Sequence, residues 1–268
     1  MKIFQIATFS VLFSTTFLYG SWQDSIGSLL QNSNITQNKQ GTTTASSLST
    51  TDMNGALKQA LNVGVEYAVQ SLGAQNGCLN NSLVKIGLPK SLQTTADLVR
   101  KVGGDKYVDD LIVALNNSAT QAAPKTAQIF ANSISNMSID DAKQILNGAD
   151  DAATQYFRKS TTKQLQETIL PIVEKSMSEN SVAQYYAAFQ KFYKNNAGVL
   201  KNDQVSGIAN SLGFGSVLPT KEDEDLNSYV TNKAIDGLMI MIAQKEQAIR
   251  ANPMMQSSSL IQKVFSAF

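Results

Sequence analysis

The sequence predicts an all-α protein: a single multi-helix bundle domain over residues 52–268, preceded by a signal peptide and a disordered polar linker. Three observations carry that expectation. From residue 52 onward, apolar side chains recur at three- and four-residue steps, the spacing that lines one face of a helix. No run alternates apolar and polar residues long enough to demand a sheet. Capping and breaking residues, mainly Ser, Asp, Gly and Pro, divide the periodic stretches at helix-length intervals.

Residues 1–21, MKIFQIATFSVLFSTTFLYGS, have the layout of a cleavable secretory signal. Lys2 makes a positive start, residues 3–18 are largely apolar, and Gly20 and Ser21 are small enough for a cleavage site. Gln5, Ser10, Ser14, Thr15 and Thr16 interrupt the apolar run and make it a poor permanent span. The expected destination is the periplasm, with no membrane span left after cleavage. Residues 22–51 divide in two. Trp22, Ile26, Leu29 and Leu30 share roughly one helical face, and residues 31–51 are rich in Asn, Ser and Thr with almost nothing large and apolar. That second part cannot bury enough surface to offset its ordering entropy and reads as a disordered linker.

In the bundle, Met53, Leu57, Leu61, Val65 and Leu72 mark a first helix, with Thr51 or Asp52 as N-cap and Gly73 at its end. A loop over 75–90 turns at Asn76-Gly77 and stops at Pro89, and Ser91 can cap the next helix. Gly103-Gly104 closes that helix and Asp105 opens another. Pro124 suits the first turn of a helix running through Phe130 and Ile134. Ser138 and Asp141 stand at capping-box spacing, with Asp in place of Glu, before a short helix ended by Gly148. Asp150 and Asp151 start a further helix, Thr161 or Thr162 restarts the chain into 165–177, and Pro171 should bend or split that run. Tyr185, Tyr186, Phe189, Phe192 and Tyr193 form an aromatic helix, and residues 201–220 are looser. The acidic run at 221–225 precedes a long helix through Tyr229, Val230, Leu238 and Ile242 that Pro253 ends, and residues 260–268 form an amphipathic tail.

Composition excludes much chemistry. The 268 residues include no His and one Cys, which removes Ser-His-Asp and Cys-His nucleophiles, His-bound zinc and thiolate clusters. The lone Cys78 is expected to be buried, with an intermolecular disulfide as the alternative. Loss of Lys2 with the signal leaves 21 basic against 21 acidic residues, so the mature chain has no net attraction for nucleic acid. Lys191 and Lys194 among the aromatics of 185–193 do not change that. Gly213-Phe-Gly215 lacks the Lys-Ser/Thr of a phosphate loop. Met239, Met241, Met254 and Met255 either fill core or line an adaptable apolar pocket.

Three stretches, ALKQALNVGVEYAVQSLGAQNGCLNN (56–81), ILNGADDAATQYFR (145–158) and YVTNKAIDGLMIMIAQKEQAIRANP (229–253), resemble the bacterial exported family catalogued as domain of unknown function 4197. The resemblance covers roughly residues 53–265. It implies a signal-bearing, helical, single-domain protein of Gram-negative bacteria and no particular activity. The chain departs from the family in its long polar linker and in Cys78, where the motif typically carries Tyr.

The densest polar grouping is Asp150, Asp151, Thr154 and Arg158, to which Asp236, Glu246 and Arg250 are joined if the late helix packs alongside. As chemistry, the carboxylates would serve acid–base work or a hard cation, with Arg158 clamping an anion. As architecture, Asp150 and Asp151 cap a helix, and Arg158 pairs with Asp151, Asp236 or Glu246. If that pair is buried, Arg158→Ala costs roughly 3 kcal/mol. Only three arginines, Arg100, Arg158 and Arg250, stand among the 22 basic residues, which points to ion-pair networks where a planar donor matters. The leading functional expectation is a non-enzymatic binding protein that holds an apolar small molecule or lipid, or docks an envelope protein. The rivals are a carboxylate-based or metal-assisted hydrolase and a purely structural envelope protein. No catalytic residue, metal or cofactor is assigned. A hydrolase should bring carboxylates together with Arg158 in an open cleft, whereas a lipid carrier needs a continuous apolar cavity.

Overall fold

The computed structural model describes residues 48–179, residues 184, 185, 187, 188, 191, 192 and 195, and residues 226–268. The expected signal, the linker up to residue 47, most of the aromatic helix, the looser 201–220 stretch and the acidic run lie outside the described residues. Among the described residues there is no strand, as periodicity predicts.

The first helix, α1 (Thr50–Gly73), begins two residues inside the expected linker, because Ser49 rather than Thr51 or Asp52 is its N-cap. The Ser49 Oγ accepts the Asp52 N–H at 3.0 Å, and the Asp52 carboxylate falls in the first turn, where the helix dipole favours it. After Gly73 the chain turns at Asn76, in the left-handed region with φ 58°. At Gly77 a Cβ would strike the carbonyls of Ser71 and Leu72, so glycine is required there for close approach. The loop is held by the fully buried Asn116, which accepts the Ile86 N–H at 2.9 Å and donates to the Ile86 and Ile112 carbonyls at 2.7 and 2.8 Å.

The loop ends in α2 (Lys90–Lys101), whose N-cap is Pro89; Ser91, expected as the cap, lies inside the first turn. Gly103, with φ 82°, reverses the chain into α3 (Asp105–Ala122). Pro124 sits in a 3₁₀ turn (Ala123–Thr126) that leads into α4 (Ala127–Ser135). The expected capping box opens α5 (Ile139–Leu146): Ser138 Oγ accepts the Asp141 N–H, and the Asp141 carboxylate accepts from the Ser138 backbone and hydroxyl. Those bonds hold the Asp141 carboxyl below its usual pKa.

The helix α6 (Ala152–Glu179) is unbroken over 28 residues, so the chain does not restart at Thr161 or Thr162, and of the two outcomes expected at Pro171, a bend or a split, the split does not occur. The two Thr hydroxyls donate back to the Phe157 and Arg158 carbonyls at 2.7 and 2.6 Å, which satisfies them inside the helix. Pro171 and Glu167, whose carbonyl loses its helical donor at Pro171, are both exposed, so water can satisfy that carbonyl. The last elements are α7 (Leu226–Ala251), a 3₁₀ turn at Pro253–Met255 and α8 (Ser259–Phe265).

Packing is centred on α7, which lies against both α1 and α6, while α8 lies against α1. The apolar face of α1 buries Leu57, Leu61, Val65 and Leu72, and α7 buries Val230, Leu238, Met239 and Ile242. The α8 segment is core rather than tail, with Val264 fully buried. Its partly buried neighbour Leu260 sits 3.3 Å from where a Gly55 Cβ would be. The methionines divide by position: Met239 and Met241 fill the core, whereas Met254 and Met255 are 70 % and 83 % exposed. Cys78 is buried, as expected of a lone thiol, and burial pushes its pKa up. At neutral pH it is therefore an uncharged, inaccessible thiol. An aromatic disulfide reagent is expected to label it only after denaturation; labelling of the folded protein would contradict this packing.

Where α1 and α7 cross, a Cβ added at Gly64 would sit 3.8 Å from Ile242 Cγ2, an ordinary contact. Gly64→Ala is thus expected to stabilise the protein by about 0.5–1 kcal/mol through helix propensity. A thermal melt should show the midpoint rise by roughly 1–4 °C; a fall would mean the crossing is tighter than the geometry indicates.

Candidate functional site

The turn between α5 and α6 places the sequence's densest polar grouping beside the C-terminal part of α7. Helix termini leave backbone donors and acceptors without intrahelical partners, and here the partners come from α7. The side chain of Glu246, 7 % exposed, accepts the Ala153 N–H at 2.9 Å and the Thr154 N–H and hydroxyl at 3.0 Å each. It thereby caps α6 from another helix, at the end where a negative charge complements the dipole. One turn along, Arg250 donates to the same carboxylate from Nε at 3.3 Å and from a terminal nitrogen at 3.1 Å. That terminal nitrogen also donates to the Ile145 carbonyl at 2.8 Å, covering the negative end of α5. The guanidinium lies 5.8 Å from the centre of the Phe265 ring, which fixes its other face.

One i,i+4 ion pair on α7 therefore joins the end of α5, the start of α6 and α8. A lesser version occurs on α1, where Lys58 donates to the Ser135 carbonyl at the end of α4 at 3.0 Å, and burial lowers its pKa. The tight turn between α5 and α6 depends on Gly148. A Cβ there would meet Ala152 Cβ at 2.6 Å and the Gln144 carbonyl oxygen at 2.8 Å.

The other sequence candidates do not converge on one centre. Arg158 pairs with Asp236 at 3.1 Å, joining α6 to α7 on the surface. Both partners are part-exposed, at 39 % and 46 %, which corrects the expectation of a buried pair. Arg158→Ala is accordingly expected to cost about 0–1 kcal/mol, well below the figure for a buried pair. Urea denaturation checks this, and a loss above ~2 kcal/mol would restore the buried reading. Asp151 accepts the Gln155 side-chain amide at 2.9 Å, and Asp150 is exposed. The N–H groups of Ala153 and Thr154 bond to Glu246 instead of to these two aspartates. The remaining arginine, Arg100, is paired with Asp105 and Asp109, so every arginine of the chain stands in an ion pair.

Among the described residues no group of three His, Cys, Asp or Glu side chains could hold a metal ion. Beside the clamp is an apolar void of about 10 Å³ between Leu57, Leu61, Ile242 and Phe265, room for about one water. Two open clefts flank the α5–α6 turn. One, of about 620 Å³, is lined by Asn147, Gly148, Asp150, Gln247, Arg250 and Phe268 among others. The second, of about 500 Å³, lies between α5 and α6 and includes Asp141, Gln155, Tyr156 and Lys159.

Fold and geometry define a helical bundle whose main polar cluster holds helix ends together. Residues 47–266 match the model of a family described as protein of unknown function (DUF4197). The chain belongs to that family. No curated protein and no solved structure matches it. Among the described residues, no helix is long and apolar enough to cross a membrane.

Proposed function

We propose that this protein is exported to the periplasm of a Gram-negative bacterium and works there by binding a component of the envelope at its surface, without chemistry of its own. The observation that carries the reading is the use made of the polar cluster. Glu246 receives five hydrogen bonds from α6 and Arg250, which leaves it no capacity to act on a substrate. The hydrolase reading needs two or more of Asp150, Asp151, Asp236 and Glu246 to converge with Arg158 in an open cleft, whereas Arg158 takes Asp236 on the surface and Glu246 is taken up by Arg250. Among the described residues, the apolar void beside the clamp, at about 10 Å³, is too small for an apolar ligand, since ligand cavities run to ~300 Å³ or more. Binding in an open cleft at the clamped end of the bundle is the use that fits best.

Two measurements in the native host test this. N-terminal sequencing should find a chain beginning near Ser21 or Trp22, and recovery of intact Met1 would overturn export. A photo-crosslinking amino acid at Gln247, which is exposed and lines the larger cleft, should yield adducts absent from a control at Lys163, exposed on α6. Equal labelling from both positions would overturn the binding role.

A further inference from the structure

We propose that the larger cleft binds a neutral glycan. This rests on the envelope-binding reading and deepens it by naming the chemical class of the ligand.

The cleft is built from three separate stretches: Asn147, Gly148 and Asp150 on the α5–α6 turn, Gln247 and Arg250 on α7, and Phe265 and Phe268 at and beyond α8. Its volume of about 620 Å³ falls in the small-ligand range of ~300–1,000 Å³. Charge narrows the class first. Arg250 is the cation lining the cleft, and Glu246 already neutralises it at 3.1 Å. Asp150 in the lining repels an anion, and with Arg250 matched by Glu246 no free cation there offsets it. An uncharged ligand meets no such penalty.

Hydrogen-bonding capacity narrows it further. Asp150 offers acceptors only, and Gln247 offers both a donor and an acceptor. The Asn147 side-chain nitrogen donates to the Lys143 carbonyl at 2.8 Å, which leaves its second N–H and its oxygen for a ligand. One terminal nitrogen of Arg250 has only a long contact of 3.5 Å, to the Leu146 carbonyl, and retains donor capacity. Donors and acceptors are thus interleaved. A hydroxyl group, which both donates and accepts, matches that arrangement, whereas an apolar ligand would leave each of these groups unpaired. Phe268, 52 % exposed, supplies the remaining element. Its ring face carries negative quadrupole density and suits the weakly positive C–H face of a pyranose ring. Aromatic face, amide, carboxylate and guanidinium around one open groove make a polyhydroxylated ring the ligand they suit together.

The test is NMR titration of the isotope-labelled mature chain with two neutral trisaccharides, triacetylchitotriose and maltotriose, and with inorganic phosphate as the anionic control. At least one trisaccharide should shift resonances of residues 147–150, 247–250 and 265–268 as a connected patch. Asp150→Asn and Phe268→Ser should each weaken that binding about ten-fold while leaving the unfolding midpoint in place, since both residues are exposed. If neither trisaccharide shifts the patch, or if both variants bind like the parent, the glycan assignment is wrong. A response to phosphate alone would also overturn it and make the cleft an anion site. Failure here with specific protein adducts still forming at Gln247 would leave the envelope-binding reading standing. Loss of those adducts as well would remove both.

Discussion

Glu246→Ala is expected to lower the unfolding free energy by about 3–5 kcal/mol. The substitution strands four groups at once. Arg250, 13 % exposed, keeps its charge without a carboxylate, and the Ala153 and Thr154 N–H groups at the start of α6 and the Thr154 hydroxyl lose their acceptor. A buried ion pair contributes modestly compared with an apolar replacement of both partners, but removing one partner leaves an uncompensated charge. Glu246→Gln keeps the shape and one acceptor oxygen, so its loss should be intermediate. Chemical denaturation of both variants gives the size, and a cycle with Arg250→Met isolates the coupling between the two side chains. Hydrogen exchange adds a local readout, since the amides of Ala153 and Thr154 should lose protection more than the rest of α6. An alanine variant within ~1 kcal/mol of the parent would mean that the clamp is not what holds the α5–α6 junction.

Phe157→Ala should be comparably damaging, at about 3–5 kcal/mol, for an apolar reason. Phe157 and Phe130 are both fully buried, and their rings meet edge to face with centroids 5.1 Å apart. Truncation removes that aromatic contact and leaves a cavity between α4 and α6 that rigid neighbours fill only in part. For a domain of this size the thermal midpoint should fall by roughly 6–20 °C. Phe157→Leu fills most of the space and should lose less than half as much. Similar midpoints for the two variants would show that the site collapses readily and that the cavity contribution is small.

The two expectations differ in how far they can be read from sequence. Phe157 sits at helical spacing from Ala153 and Thr161, and periodicity alone puts it on a core face. Nothing near Glu246 in sequence marks it as a cap, because the N–H groups it accepts from belong to residues 92 and 93 positions away. The scarcity of arginine was an accessible clue to ion pairs, and all three proved to be in one. It could not say which carboxylate each would take. Asp151, Asp236 and Glu246 satisfied the sequence pattern around Arg158 equally well; the packing of α7 on α6 gave Asp236 to Arg158, while Glu246 stands at local i,i+4 spacing from Arg250. Asn116, buried and holding the loop through Ile86, carried no signal at all, since an Asn on a helix, here followed by Asn117 and Ser118, reads as solvent-facing.

By itself the sequence determined what depends on neighbours within about one helical turn. The all-helical class, the Ser138–Asp141 capping box, the reversal at Gly103 and the turn at Asn76-Gly77 follow from backbone geometry and side chains three or four residues apart. Even locally it misjudged cases with a competing partner inside the helix, as at Thr161 and Thr162, whose hydroxyls bond back to carbonyls one turn earlier. Tertiary structure alone decided which charges meet between helices, because a long side chain finds such a partner through the register and crossing of whole helices. That register is set by the summed packing of buried faces such as Gly64 against Ile242. A carboxylate is equally stable in water until such packing brings it within 3 Å of two unpaired N–H groups, as at Glu246 beside Ala153 and Thr154.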